Sequence, residues 1–192
     1  MTARVIHLLR HGPPERPGLL LGHTDVPALN PDCPQMRDRA RRVTVDRVVA
    51  SDLARCAVQA GHLARNLGVP LTLDRRWREL DFGAWDGMAP ESLDPPALSR
   101  FWDDPERHAP PGGERWSDLR TRIGAALAAL ETRTLVVTHA GAMRAAISVL
   151  TGLDARGVWA FDLPYRAMLS LHIWPGPPMT GQIVGLATGE AR

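Results

Sequence analysis

A chain of 192 residues, 44% hydrophobic and 23% charged, has the length of one domain at roughly 150 residues apiece and the composition of a globular protein. Its net charge is +2, and all 23 basic residues are arginine. A uniform lack of lysine reads as compositional bias and excludes any argument for a nucleic-acid surface from charge alone.

No stretch approaches 18 consecutive apolar residues, and the first nine lack a secretory signal pattern, so a soluble, cytoplasmic chain is expected. The two cysteines, Cys33 and Cys56, lack metal-ligand spacing and are expected as free thiols. Residues 1–78 carry 13 arginines against 7 acidic residues, whereas residues 79–192 carry 10 against 14. That distribution is compatible with an anion site built mainly from the first part of the chain, or with a solvated mixed surface.

In chain order, the apolar run from Arg4 to Leu9 predicts a buried strand that stops at Arg10-His-Gly-Pro-Pro14. Residues 13–34 are rich in Pro and Gly and form a long irregular connection, a kind of loop that usually carries function. A short helix is expected from Pro34 to Arg42 and a strand from Arg47 to Ala50. Ser51 or Asp52 can cap the helix that follows, which keeps helical spacing to Leu67 and ends at Gly68. A short strand spans Leu71 to Leu73.

Residues 77–113 are a second irregular region, with Trp77, Phe82, Trp85, Phe101 and Trp102 expected to serve core and lid packing. Beyond it come a helix from about Glu114 to Glu131, a strand from Thr134 to Thr138 that ends at His139-Ala-Gly141, and another helix that runs to about Leu150. Two further strands are expected near residues 167–174 and 182–186. The alternation predicts an α/β fold, a three-layer α/β/α sandwich with a mostly parallel central sheet. It is read as a single domain over 1–192 with a lid-like insertion around 77–113.

In open α/β sheets ligands bind beyond the carboxyl ends of strands. Here three strands end in Arg10-His11, in Ser51-Asp52 with Arg55 just after, and in His139. Arg10 offers a planar fork to phosphoryl oxygens, His11 can attack phosphorus, and Gly12 lets the backbone approach closely. The structural alternatives are a strand-end histidine satisfied by a carbonyl, a surface Arg55–Asp52 pair, and a core His139.

These segments resemble the histidine phosphatase superfamily, the phosphoglycerate mutase-like proteins, over about residues 4–174. The resemblance rests on five elements in family order besides Arg10-His-Gly12 itself. They are Gly22-His-Thr-Asp-Val-Pro27, Ser51-Asp-Leu-Ala-Arg55, Glu79-Leu-Asp-Phe-Gly-Ala-Trp-Asp-Gly87, Pro111-Gly-Gly-Glu114 and Val137-Thr-His-Ala-Gly141. It implies that His11 is the nucleophile, Glu79 the proton donor and His139 the second catalytic histidine, with Arg10, Gly12, Arg55 and Ala140 binding the phosphoryl group. Asp81 and Asp86 lie close to Glu79 and compete for its role. Many members carry an Asn a few residues after the Arg-His-Gly; here Pro17 stands near that place, leaving His23 or Thr24 to supply a donor or to brace the loop.

Only 34 residues (80–113) separate Glu79 from Glu114, fewer than in the longer mutases. A phosphomonoesterase is therefore expected, working through phosphohistidine with no metal or cofactor. Within the superfamily the chain looks most like the α-ribazole phosphatases of cobalamin assembly. The alternatives are a phosphoglycerate mutase, a broad-specificity sugar or nucleotide phosphatase, and a non-catalytic phospho-ligand binder. The expected partner is a small phosphorylated substrate, with no nucleic acid and no membrane, on a monomer or homodimer.

Overall fold

The computed structural model describes residues 2–188. The apolar runs become strands β1 (Arg4–Arg10), β2 (Arg47–Ala50), β3 (Leu71–Leu73), β4 (Thr134–Thr138), β5 (Met168–Trp174) and β6 (Thr180–Ala187). The helices are α1 (Pro34–Ala40), α2 (Ala54–Leu67), α3 (Pro95–Asp103), α4 (Trp116–Ala129) and α5 (Ala140–Thr151). All six strands share one sheet in the order β3-β2-β4-β1-β5-β6. Parallel ladders join β3, β2, β4 and β1 in turn, and β5 opposes both β1 and β6.

Side-chain alternation sends Ile6, Leu8 and Val136 to one face, where they pack with Leu119 and Ile123 of α4 and Met143 and Ile147 of α5. Leu9, Leu135 and Val137 point to the other face, against Met36 of α1 and Cys56, Ala60 and Leu63 of α2. Helices thus cover both faces, the three-layer sandwich that the alternation of elements predicts. Arg10 is in register with Thr138, and Ala50 with Val137, so three strand ends lie level and put Arg10, Ser51 and His139 along one edge.

Two local expectations are corrected. Neither Ser51 nor Asp52 caps α2: the carboxylate of Asp25 accepts from the Ala54 N–H at 2.7 Å, so the cap comes from the distant 13–34 loop. The irregular region also contains α3. Asp94 caps it through the Ala97 N–H at 3.1 Å, Pro95 and Pro96 occupy its first turn, and Phe101 is its buried anchor. Among the described residues no helix is long and apolar enough to cross a membrane.

Candidate active site

His11 and His139 follow directly on β1 and β4, and the parallel pairing of those strands brings their ring centroids to 5.0 Å. Both imidazoles are buried. Nδ1 of His11 lies 2.6 Å from the carbonyl oxygen of Gly12, so Nδ1 carries the hydrogen and Nε2 the lone pair. Burial, then the nearby charges of Arg55 and Arg10, push the His11 pKa down to about 3. The ring is therefore neutral at any ordinary pH. Burial and Arg55 likewise hold His139 well below the usual histidine range.

Arg55, fully buried in the first turn of α2, donates from Nε to Nδ1 of His139 at 3.3 Å. Its Nη atoms donate to the carbonyls of Thr24 at 2.9 Å, Gly22 at 2.6 Å and Leu21 at 3.1 Å. Among the described residues it pairs with no surface carboxylate; Asp52 is held instead by Arg78 at 2.6 Å. Four of its five N–H groups are thus engaged, so Arg55 offers the cavity chiefly its charge. Arg10 is freer: Nη1 donates to the Leu163 carbonyl at 2.6 Å, the guanidinium lies 4.1 Å over the Tyr165 ring, and its buried Nε has no partner among the described residues.

Glu79 faces this pair from the irregular segment. Its Oε2 accepts from the Gly141 N–H at 3.1 Å and its Oε1 from the Leu80 N–H at 2.9 Å. Arg122 of α4 fixes the segment by donating to the carbonyls of Arg76, Arg78 and Glu79 at 2.9, 2.8 and 2.7 Å, while its fork is held on Glu114. Thr138 adds a bond to the Trp77 carbonyl at 2.7 Å. Asp86 instead accepts the N–H groups of Gly22, His23 and Thr24, and Asp81 caps Gly83 and faces His23. Of the three neighbouring carboxylates, Glu79 alone lines the cavity described next.

That cavity, of about 340 Å³, opens from the strand edge. Arg10, His11, Arg55, Glu79, Ala140 and Gly141 form its polar end. His139 packs beneath, 1% exposed, and Gly12 holds His11 from behind while its own N–H donates to Gln59. His23 and Thr24 do not line the cavity. Nε2 of His23 lies 3.2 Å from the Glu79 carbonyl, and Thr24 is tied through its backbone to Asp86 and Arg55, so both brace the loop.

Sequence reasoning missed Tyr165, whose ring lies 5.5 Å from that of His11, and Arg144 of α5, a third arginine in the wall. No motif flags either. Arg144 of α5 follows His139, the residue just before that helix, by five positions, and that spacing is the one available signal. Trp77 belongs to the core, Phe82 and Phe101 back the wall, and Trp102 stands half-exposed at the mouth. Cys33 and Cys56 are free and buried, and burial pushes the Cys56 thiol up. Among the described residues no cluster of three His, Cys, Asp or Glu side chains is placed to hold a metal ion.

The model of the histidine phosphatase superfamily (branch 1) matches residues 6–180. A protein of Salmonella choleraesuis described as a probable phosphoglycerate mutase, GpmB, is 30% identical over 168 residues, 81% of this chain and 77% of its own. Among solved structures, the mycobacterial glucosyl-3-phosphoglycerate phosphatase superposes with a TM-score of 0.83 at 23% identity, over 97% of this chain and 100% of its own. The α-ribazole phosphatase of Shigella flexneri gives 0.79 at 22%, over 98% and 100%. At such identities these two likenesses concern the fold.

Proposed function

This chain belongs to the histidine phosphatase superfamily (branch 1), and from that membership we propose that it is a metal-independent phosphomonoesterase working through a phosphohistidine at His11. The observation that carries the reading is the state of His11: a neutral imidazole with Nδ1 tied to the Gly12 carbonyl at 2.6 Å, set between two arginines at the closed end of a cavity. Nε2 attacks phosphorus and the ester P–O bond breaks. The positive charge that develops on the ring is met by the Gly12 carbonyl, and the charge on the phosphoryl oxygens by Arg10 and Arg55.

The leaving alkoxide takes its proton from the Glu79 carboxyl group, the acid that faces the histidines. Water then attacks the phosphohistidine, Glu79 accepts the proton, and phosphate departs with His11 restored. His139 supports the phosphoryl group from below and keeps Arg55 in place at 3.3 Å. Hydrolysis is favoured over mutase action because only 34 residues (80–113) lie between Glu79 and Glu114, too few for a cover that shields the phosphoenzyme from water. The enzyme works in the cytoplasm on a small phosphorylated metabolite, as a monomer or homodimer, without nucleic acid or membrane. Candidate esters are α-ribazole phosphate, which would place the enzyme in cobalamin assembly, and phosphorylated glycerates.

Hydrolysis of p-nitrophenyl phosphate in EDTA tests this reading. The wild type is expected to turn over and His11→Ala to lose at least about a thousandfold in kcat. Vanadate or phosphate binding without turnover would make the protein a phospho-ligand binder. Turnover untouched by His11→Ala would remove the nucleophile, and activity abolished by EDTA would remove the metal-free mechanism.

A further inference from the structure

The two arginines beside His11 are held by different means. Arg55 commits four N–H groups to protein acceptors, whereas the Arg10 side chain makes one hydrogen bond, from Nη1 to the Leu163 carbonyl at 2.6 Å. Among the described residues no carboxylate pairs with Arg10, and its Nε is buried without a partner. A long side chain tethered at one atom keeps rotamer freedom, which suits poorly a planar fork that has to meet phosphoryl oxygens in one orientation. What remains to fix its plane is the ring of Tyr165, over which the guanidinium lies at 4.1 Å.

Tyr165 itself sits in a turn with several anchors. The Ala167 N–H donates to the Pro164 carbonyl at 3.0 Å and closes four residues, with Arg166 in the third place at φ 68°, a left-handed conformation that ordinarily calls for Gly. Three further bonds hold this turn: Arg166 N–H to the His11 carbonyl at 3.2 Å, Arg10 N–H to the Ala167 carbonyl at 2.9 Å, and Arg39 of α1 to the Arg166 carbonyl at 2.5 Å. An unfavourable backbone conformation persists where its surroundings over-determine it, and such residues gather at functional sites. The turn thus grips the backbone of Arg10 and His11, while its ring lies against the Arg10 guanidinium and 5.5 Å from the His11 ring.

We propose that Tyr165 is a positioning residue whose ring fixes the plane of the Arg10 guanidinium at the phosphoryl end of the cavity. Stacking orients a guanidinium without occupying its donors, so Nη2, which has no partner among the described residues, is left for an anion. For the reaction the inference rests on the phosphatase reading above, and for anion binding on the cavity alone. Its test uses vanadate, which presents phosphoryl-like oxygens without any alcohol portion for Tyr165 to touch. The dissociation constant of vanadate, by calorimetry, and kcat/KM on p-nitrophenyl phosphate are measured for the wild type, Tyr165→Phe, Tyr165→Leu, Arg10→Met and the double variant Arg10→Met/Tyr165→Leu, with thermal melting to confirm that each is folded.

Tyr165→Leu is expected to weaken vanadate binding by about tenfold, the worth of a partly desolvated cation–π contact, and Tyr165→Phe, which keeps the ring, to recover most of that. In the Arg10→Met background the same Tyr165→Leu change is expected to cost no more than about twofold, because the residue it acts through is gone. Should Tyr165→Leu melt below the assay temperature, Tyr165→Met takes its place. Full affinity in Tyr165→Leu overturns the proposal. So does a loss in Tyr165→Phe as large as in Tyr165→Leu, which would assign the effect to the hydroxyl, or an equal loss with and without Arg10, which would assign it to the ligand or the fold. If vanadate follows the expected pattern but no ester is hydrolysed, the phosphatase reading fails and this one stands.

Discussion

The two ends of the cavity are built by different means. At the phosphoryl end Arg10, His11, Arg55 and His139 are delivered by strand ends or a helix start, Glu79 comes from the irregular segment, and hydrogen bonds hold the set: Arg55 alone makes four, Glu79 accepts two, and His11 and His139 are buried against each other. At the other end the wall comes from α3, the turn Gly157–Ala160 and the start of the irregular region, held by ring contacts such as Phe82–Phe101 at 6.0 Å and Trp102–Trp159 at 5.5 Å. Hydrogen-bonded strand ends fix positions closely, as in-line chemistry requires; apolar contacts between loops tolerate exchange. The contrast teaches that reaction type is written into the sheet and substrate choice into the loops.

Substitutions can break that contrast, beginning at the end where the largest losses are expected. Arg55→Met should lower kcat/KM by roughly a thousandfold and cost about 3 kcal/mol in urea denaturation, because it removes a cation and leaves buried carbonyls unpaired. A loss in one assay alone would show that Arg55 serves only the reaction or only the fold. Gly141→Ala would set a methyl group within 2.1 Å of Glu79 Oε1, and a side chain is easier to displace than a backbone. Stability should hold while kcat on an alkyl phosphate drops about a hundredfold, with a smaller loss on p-nitrophenyl phosphate, whose leaving group needs no acid. Equal losses on both esters would count against Glu79 as the proton donor.

Gly22→Ala brings its methyl group to 2.5 Å from the Leu80 carbonyl and 2.9 Å from the Phe82 nitrogen. Since both are backbone atoms, about 2 kcal/mol of stability should be lost, and thermal melting would measure it. His11 gives a pH signature. Its folded pKa, about 3, lies below the unfolded value of roughly 6.5, so the unfolded chain binds more protons between the two. Stability should fall as pH drops through that window, less steeply in His11→Gln, and the activity of the free enzyme should show no acid limb near 6.5 from His11. Smallest of all, Trp102→Ala at the half-exposed mouth should change stability by under about 1 kcal/mol and KM only a few-fold.

The same division explains what was legible in the sequence. Strands β1, β2 and β4 are short apolar runs, and the residues at their ends could be placed on one edge from the alternation of elements alone. Family motifs then attached roles to His11, Arg55, Glu79 and His139. Long-range polar partners carry no local signal: Asp25 capping α2, Asp86 gathering three amides of the 13–34 loop, and Arg122 clamping the segment before Glu79 all span dozens of residues. Helix α3 hid behind Asp94-Pro-Pro96, which signals a helix start as readily as a loop. Arg144 lies on α5, where its five-residue distance from His139 is the one local signal, and Tyr165 carries none.

The central claim is a covalent bond to one imidazole, and the most direct test is to catch it. Enzyme mixed with excess p-nitrophenyl phosphate in EDTA, quenched in base within its first turnovers and analysed by intact and peptide mass, should carry one phosphoryl group on His11. The adduct should be absent from His11→Ala. Rapid hydrolysis with no adduct in the wild type, or an adduct mapped to another residue, would contradict the account.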